Sequence, residues 1–180
     1  MKVLNAADDL LAEMGFAAVT IEGIAKAAGV SKQTIYRWWP SKTAVLLETL
    51  VADADQRLAP PDTGTLAADV LASVATLSEF LAADDAGRVL VALRANSLLD
   101  SAFAVAYEER FAADQRAREE LPIQRAIDRG ELTGHLDVAV ERAKLYGPVY
   151  ELPVSQLTSE VARDIARQWL AGQGFTLPVG

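Results

Sequence analysis

Apolar residues recur along this chain at three- and four-residue steps, with no stretch of strict alternation, so the pattern is helical throughout. Over residues 2–14, Val3, Leu4, Ala7, Leu10, Leu11 and Met14 form one stripe, which Gly15 ends. Thr20 stands as the N-cap of a second helix, with Ile24, Ala27 and Ala28 as its apolar face. Gly29 sits where a helix closes in the left-handed conformation, which glycine adopts without steric cost. Ser31 caps the next helix, and Ile35, four residues on, faces the core. Ser41 caps a fourth helix reaching about Leu58, whose Leu46, Leu47, Leu50, Val51, Ala54 and Leu58 cover more than one face. Such a helix joins two packed bodies.

Residues 60–65, Pro-Pro-Asp-Thr-Gly-Thr, are a hard break. Two helices are predicted beyond it, over 66–83 and 87–99, and then a long one over 101–129. That one is expected to bend or split at Pro122, because proline removes a donor and clashes one turn back. Residues 133–135 make a turn, and the last helices are predicted over 137–151, kinked at Pro148, and 158–172. No internal repeat is present.

A helix, a tight glycine turn and a second short helix make a helix-turn-helix, here about residues 20–39. Its second helix offers Lys32, Gln33, Thr34, Tyr36 and Arg37, residue types that reach phosphates and base edges. Gln33 and Thr34, near the N-terminus of that helix, are the expected base readers; Lys32 and Arg37 either read guanine or grip phosphate. Trp38 is placed to pack on the sugar-phosphate edge, and Trp39 to sit in the core under the fourth helix. Lys42, beside Ser41 at a helix start, is placed to meet a phosphate. Tyr36 can fill the core with its ring and still reach a phosphate with its hydroxyl.

The same residues resemble the DNA-binding motif of the tetracycline-repressor (TetR) family of bacterial transcriptional regulators. The resemblance rests on Thr20, Ile24-Ala25, Ala28-Gly29-Val30-Ser31, Thr34-Ile35-Tyr36, Trp39 and Pro40-Ser41-Lys42, roughly the first quarter of the chain. Only Met1 and Lys2 precede the first helix, so the basic arm common in that family is short here and minor-groove contacts are expected to be weak. The resemblance implies an all-α fold: an N-terminal three-helix DNA-binding head (1–45) joined by the fourth helix to a larger helical ligand-binding and dimerisation domain (46–180). It also implies a cytoplasmic homodimer that binds double-stranded operator DNA, with the DNA-contacting set Thr20, Ser31, Lys32, Gln33, Thr34, Tyr36, Arg37, Trp38 and Lys42. A repressor that releases its operator on binding a small apolar or aromatic effector is the function it suggests.

Composition tests that reading. The net charge is −8, which looks wrong for a nucleic-acid binder until it is divided: residues 21–45 carry +3 and residues 46–180 carry −9. A basic patch on an acidic body still displaces counterions where it faces DNA. With no cysteine, disulfides and cysteine-bound zinc are excluded. No apolar run approaches the roughly 18 residues of a membrane span, and no leader pattern opens the chain, so no membrane partner is expected.

In the larger domain, Phe80, Asn96, Phe103, Tyr107 and Tyr146 stand out. On their own they read as an aromatic core with one satisfied amide; the resemblance makes them candidates to line an effector cavity. Leu145, Val149, Val161, Ile165 and Trp169 in the last two helices supply surplus apolar surface, which the resemblance assigns to a dimer interface. Catalysis finds no support. His135 is the sole histidine, so a histidine-pair metal site is impossible, and the adjacent pairs Glu108-Glu109 and Glu119-Glu120 read as solvated faces. No cofactor or metal is expected. The rivals are an enzyme with a helical pocket, which needs convergent acid and base groups, and an interaction module that no longer reads DNA, which predicts a damaged motif.

Overall fold

The computed structural model describes residues 2–83 and 85–176, the side chains of 83 and 85 excepted; Met1 of the short arm lies outside them. Among the described residues every regular element is helical. The chain forms two compact units, residues 1–56 with 83–113, and residues 57–82 with 114–180.

In the first unit, α1 (Lys2–Ala18) buries Val3, Ala6, Ala7 and Leu11, while Met14 at the end of the expected stripe is exposed. Gly15 takes φ 75° and ψ 165°, so regular helix stops there as expected, and one short turn follows it. Helix α2 (Ile21–Ala28) packs on α1 through Ile21, Ile24 and Ala25. The expected Ala27 is exposed instead, because Ile21, one turn before Ile24, completes the stripe. Short α3 (Lys32–Tyr36) and then α4 (Lys42–Arg57) follow. Val45, Leu46 and Leu47 are all buried, and three consecutive buried positions wrap most of a helix circumference. α6 (Asp85–Ser97) packs on α1, and α7 (Ser101–Tyr107), N-capped by Asp100, packs on α6.

The second unit holds α5 (Leu66–Ala83), α8 (Ala113–Asp128), α9 (Val138–Glu151) and α10 (Ser159–Gly172). Leu66, Val70, Val74, Leu77 and Leu81 form the inward stripe of α5. Asp137 and Thr158 N-cap α9 and α10, so both helices begin where the sequence predicts. The expected break at Pro122 is absent: α8 runs through it with the ring buried. One lost backbone bond is offset by packing, and the irregularity lies earlier, in a π turn at Glu108–Ala112 between α7 and α8. The loop before α5 is tied down by charge. Asp69, fully buried, accepts from Thr63 N at 2.6 Å and Thr63 Oγ1 at 2.7 Å, with Arg129 at 3.5 Å. Arg125 donates to the Pro61 carbonyl at 2.9 Å, and Glu131 caps α5 at Leu66 N at 2.8 Å. On the other side, buried Glu141 accepts from Trp169 Nε1 and Gln173 Nε2, stitching α9 to the end of α10. No single helix among the described residues is long and apolar enough to cross a membrane.

The α2–α3 turn depends on Gly29 at φ 68°, ψ 34°. Gly29→Ala is expected to destabilise the protein by about 1–2 kcal/mol, the cost of forcing an L side chain into that region. Chemical denaturation of the two proteins measures the difference.

Candidate nucleic-acid interface and regulatory cavity

The helix-turn-helix is built by local hydrogen bonds. Thr20 Oγ1 accepts from Gly23 N at 3.1 Å and starts α2. At its end Val30 N donates to the Ala25 carbonyl at 3.0 Å, the six-to-one bond that closes a helix through a left-handed residue. Ser31 Oγ then accepts from Thr34 N at 3.1 Å and lies 3.0 Å from Thr34 Oγ1. α3 is a single turn and a half, and its one buried side chain is Ile35. Ser31, Lys32, Gln33, Thr34, Tyr36, Arg37 and Trp38 are all exposed around that anchor. Tyr36 is 52% exposed, so it does not plug the core, and Trp38 is 69% exposed with the Arg37 guanidinium 5.7 Å from its ring. Trp39, expected in the core, is half-buried.

Two cations of this set already have protein partners. Lys32 Nζ donates to Glu22 Oε1 at 2.8 Å, and that bond holds the Glu22 carboxyl below its ordinary pKa and the Lys32 ammonium above its own. Both groups are exposed, so the pair is screened by salt and free to exchange for a phosphate. Lys42 is different. Its ammonium donates to the Phe16 carbonyl at 3.0 Å and the Val19 carbonyl at 3.1 Å, and lies 4.7 Å from the Phe16 ring. It thus clamps the end of α1 to the start of α4, with one N–H to spare.

The five candidate cavity residues are divided between the two units. Asn96, Phe103 and Tyr107 belong to the first unit; Phe80 and Tyr146 belong to the second. Phe103, Tyr107 and Phe111 form a tilted aromatic ladder, with ring centroids 6.1 and 5.5 Å apart. Phe103 also lines a cleft of about 360 Å³ with Pro40, Ser41 and Leu47. Phe80 is buried under the Arg57 guanidinium, 5.3 Å from its ring centre.

Tyr146 lines a much smaller cavity of about 20 Å³, room for about one water, in the second unit, between α5, α8, α9 and the Pro60-Pro61 segment. Ser73, Gln115 and Glu119 line it too, and the sequence reading names neither Ser73 nor Gln115. The sequence puts Glu119 on a solvated face, and the structure corrects this. It is 4% exposed, ion-paired to Arg142 Nη1 at 3.1 Å, and accepts from Gln115 Nε2 at 3.1 Å and from the Tyr150 hydroxyl. Its charge-rich neighbours hid it; the signal was its spacing, four residues after Gln115, three before Pro122 and four before Ile123. Burial, helped by the Glu119 charge, pushes the Tyr146 hydroxyl well above its ordinary pKa, so it stays neutral. Among the described residues no group of three potential ligands is placed to hold a metal.

Residues 3–49 match the model of bacterial regulatory proteins of the tetR family, and residues 60–171 match a tetracyclin repressor-like C-terminal domain. The chain belongs to the TetR family. An uncharacterized HTH-type transcriptional regulator of Bacillus subtilis (strain 168), YdeS, is 38% identical over 82% of this chain and 74% of its own length. A second such regulator, Rv1556 of Mycobacterium tuberculosis (strain ATCC 25618 / H37Rv), is 32% identical over 69% of this chain and 60% of its own. The crystal structure of the TetR family transcription regulator SCO0332 superposes with a TM-score of 0.80 at 32% identity, covering 98% of this chain and 97% of that one. This TetR protein is therefore a ligand-responsive, DNA-binding transcriptional regulator and not an enzyme. Its α1–α3 are joined through α4 to the larger helical bundle, as the sequence predicts.

Proteins of this family form homodimers. Of the residues expected at the interface, Leu145, Val149 and Trp169 are buried inside the protomer, whereas Val161 and Ile165 are half-exposed. Helix α9 exposes Val140 and Ala143, with Gly147 half-buried one turn beyond.

The clamp role of Lys42 yields a measurable expectation. Lys42→Ala is expected to lower stability by about 1–3 kcal/mol, because charged hydrogen bonds to two carbonyls are lost, and to weaken all duplexes alike. Weakened DNA binding at unchanged stability would make Lys42 a phosphate contact alone.

Proposed function

We propose that this chain is a homodimeric repressor, acting in the cytoplasm, that releases operator DNA when a small molecule occupies its regulatory domain. The DNA-binding function falls to residues 1–45 and the regulatory function to 46–180. The observation that carries the reading is the exposed set from Ser31 to Trp38, held on a single buried residue, Ile35. Gln33 and Thr34 read bases in the major groove, Tyr36, Arg37 and Trp38 lie along the backbone, and Lys32 exchanges Glu22 for phosphate. Thr20 and Ser31 contribute mainly as caps, since their hydroxyls are already hydrogen-bonded. Two heads bound one helical turn apart, ~34–36 Å, read a two-fold symmetric site. An effector that disfavours that spacing lowers operator affinity by a coupling of typically ~1–3 kcal/mol.

Selection from random duplexes is expected to recover a palindromic sequence whose affinity falls steeply with salt. Gln33→Ala is expected to relax preference at one position of each half-site, at a cost of about 1–3 kcal/mol for the preferred base. A flat salt response without sequence preference would sink the reading.

For the dimer, Val161, Ile165 and Gly147 are the residues to probe. A Cβ on Gly147 would meet open space in the protomer, so the fold itself accommodates a side chain there. Gly147→Arg and Ile165→Glu are expected to give a helical monomer in sedimentation at micromolar concentration where the parent protein is a dimer. A dimer that survives both changes would place the interface elsewhere.

A further inference from the structure

Glu22 is the one acidic side chain between Ile21 and Val45, a stretch whose positive charge comes from Lys26, Lys32, Arg37 and Lys42. It stands exposed in the first turn of α2, yet it reaches across to α3. Its Oε1 accepts from Lys32 Nζ at 2.8 Å, between residues ten apart in sequence. A cation nearer in sequence is passed over. Lys26 lies four residues on, where a helix brings opposite charges together, but the carboxylate pairs with Lys32.

That choice matters because Lys32 is the first residue of α3, beside Gln33 and Thr34. A cation there faces phosphates when the helix enters a groove. In the free protein its ammonium already has a carboxylate, and each partner holds the other in its charged form. A phosphate that takes Lys32 therefore leaves a bare carboxylate next to the DNA. If the pair persists instead, Lys32 contributes nothing to counterion release. Either way the head meets DNA with one effective positive charge fewer than its lysines and arginines supply. That charge is a large part of the whole, because Lys42 is turned to the Phe16 and Val19 carbonyls and Arg37 lies over Trp38.

We propose that Glu22 limits the affinity of the head for DNA by competing with phosphate for Lys32. The carboxylate is an internal stand-in for the nucleic acid, displaced when a duplex binds. The competition involves no base, so it lowers affinity for every sequence alike and leaves the choice of sequence to Gln33 and Thr34. Nonspecific complexes rest on counterion release alone, and they are the ones that become too weak to persist. A complex held by base contacts as well survives the loss of one charge. This inference rests on the reading that α3 enters a major groove with Lys32 at a phosphate, and it adds the residue that opposes that contact.

The test follows binding of the full chain to a mixed-sequence duplex and to the palindrome recovered by selection, across about 50–200 mM salt. Glu22→Gln keeps the size of the side chain and removes its charge. Exposed pairs add little to stability, so thermal unfolding is expected to be unchanged. The variant is expected to bind both duplexes about five- to tenfold more tightly per head at about 0.1 M salt, with a salt slope steeper by about one unit per head. In a Lys32→Ala background the same change is expected to have little effect, because the carboxylate then has nothing to withhold. Unchanged affinity and slope in Glu22→Gln would overturn the proposal. So would an equal gain in the Lys32→Ala background, which would make Glu22 a plain surface charge, or a gain confined to the palindrome, which would make it part of sequence recognition. Each of these failures leaves the proposed function standing so long as the parent protein selects a sequence. Absence of duplex binding by both the parent and Glu22→Gln would overturn the two together.

Discussion

A buried carboxylate must be answered from within the protein, and in the larger unit that requirement organises the packing. Glu119 on α8 has lost its water, and unpaired it would cost several kcal/mol. Arg142 on α9, Gln115 one turn back and the Tyr150 hydroxyl supply the compensation. The consequences spread outward. Pairing with Arg142 fixes α9 against α8; Gln115, turned toward Glu119, must show its carbonyl oxygen to the cavity; and the nearby negative charge helps keep Tyr146 protonated. Asp69 and Glu141 repeat the device at the loop before α5 and at the end of α10. Helices whose apolar faces alone would tolerate sliding are thereby held in one register.

The head works on a different principle. Its recognition helix is too short to be stable by itself, since helix nucleation is unfavourable and only a few bonds follow it. It persists because Ser31 caps it, Gly29 sets its entry angle and Ile35 anchors it. Little side-chain surface is spent on packing, which leaves the seven neighbours of Ile35 from Ser31 to Trp38 in solvent for a nucleic acid to meet. The Lys42 clamp performs the same service one element later, by holding the end of α1 against the start of α4.

Legibility in the sequence follows the range of the interaction. Thr20, Gly29 and Ser31 act on residues within one turn, and the sequence places each correctly as a cap or turn; the last two helices likewise start where expected, at the caps Asp137 and Thr158. Element limits set by glycine and proline clusters were nearly as plain. Pro122 misled because what keeps α8 intact is burial against distant residues, which no local rule registers. Glu119 was hidden for the same reason, as a carboxylate among charges reads as solvated until Arg142, 23 residues on, is brought to it. The aromatic residues were visible as types, but their division between two units was not: α6 and α7 follow α5 in sequence yet pack with the head.

That division bears on how a signal can travel. The backbone leaves the larger unit at the end of α5, passes through α6 and α7 within the unit that contains the head, and returns as α8. α6 packs on α1, and Phe103 of α7 lines a cleft with Ser41 and Leu47 of α4. α7 and α8 are continuous through the π turn at Glu108–Ala112, and Gln115 and Glu119 lie one and two turns beyond it. A π turn carries one extra residue, and such turns fall mostly at functional sites. Phe103 and Gln115 are thus carried by one continuous helical run with that irregularity between them. Continuity of backbone is not coupling in itself, which needs a ligand to contact two states of the protein differently.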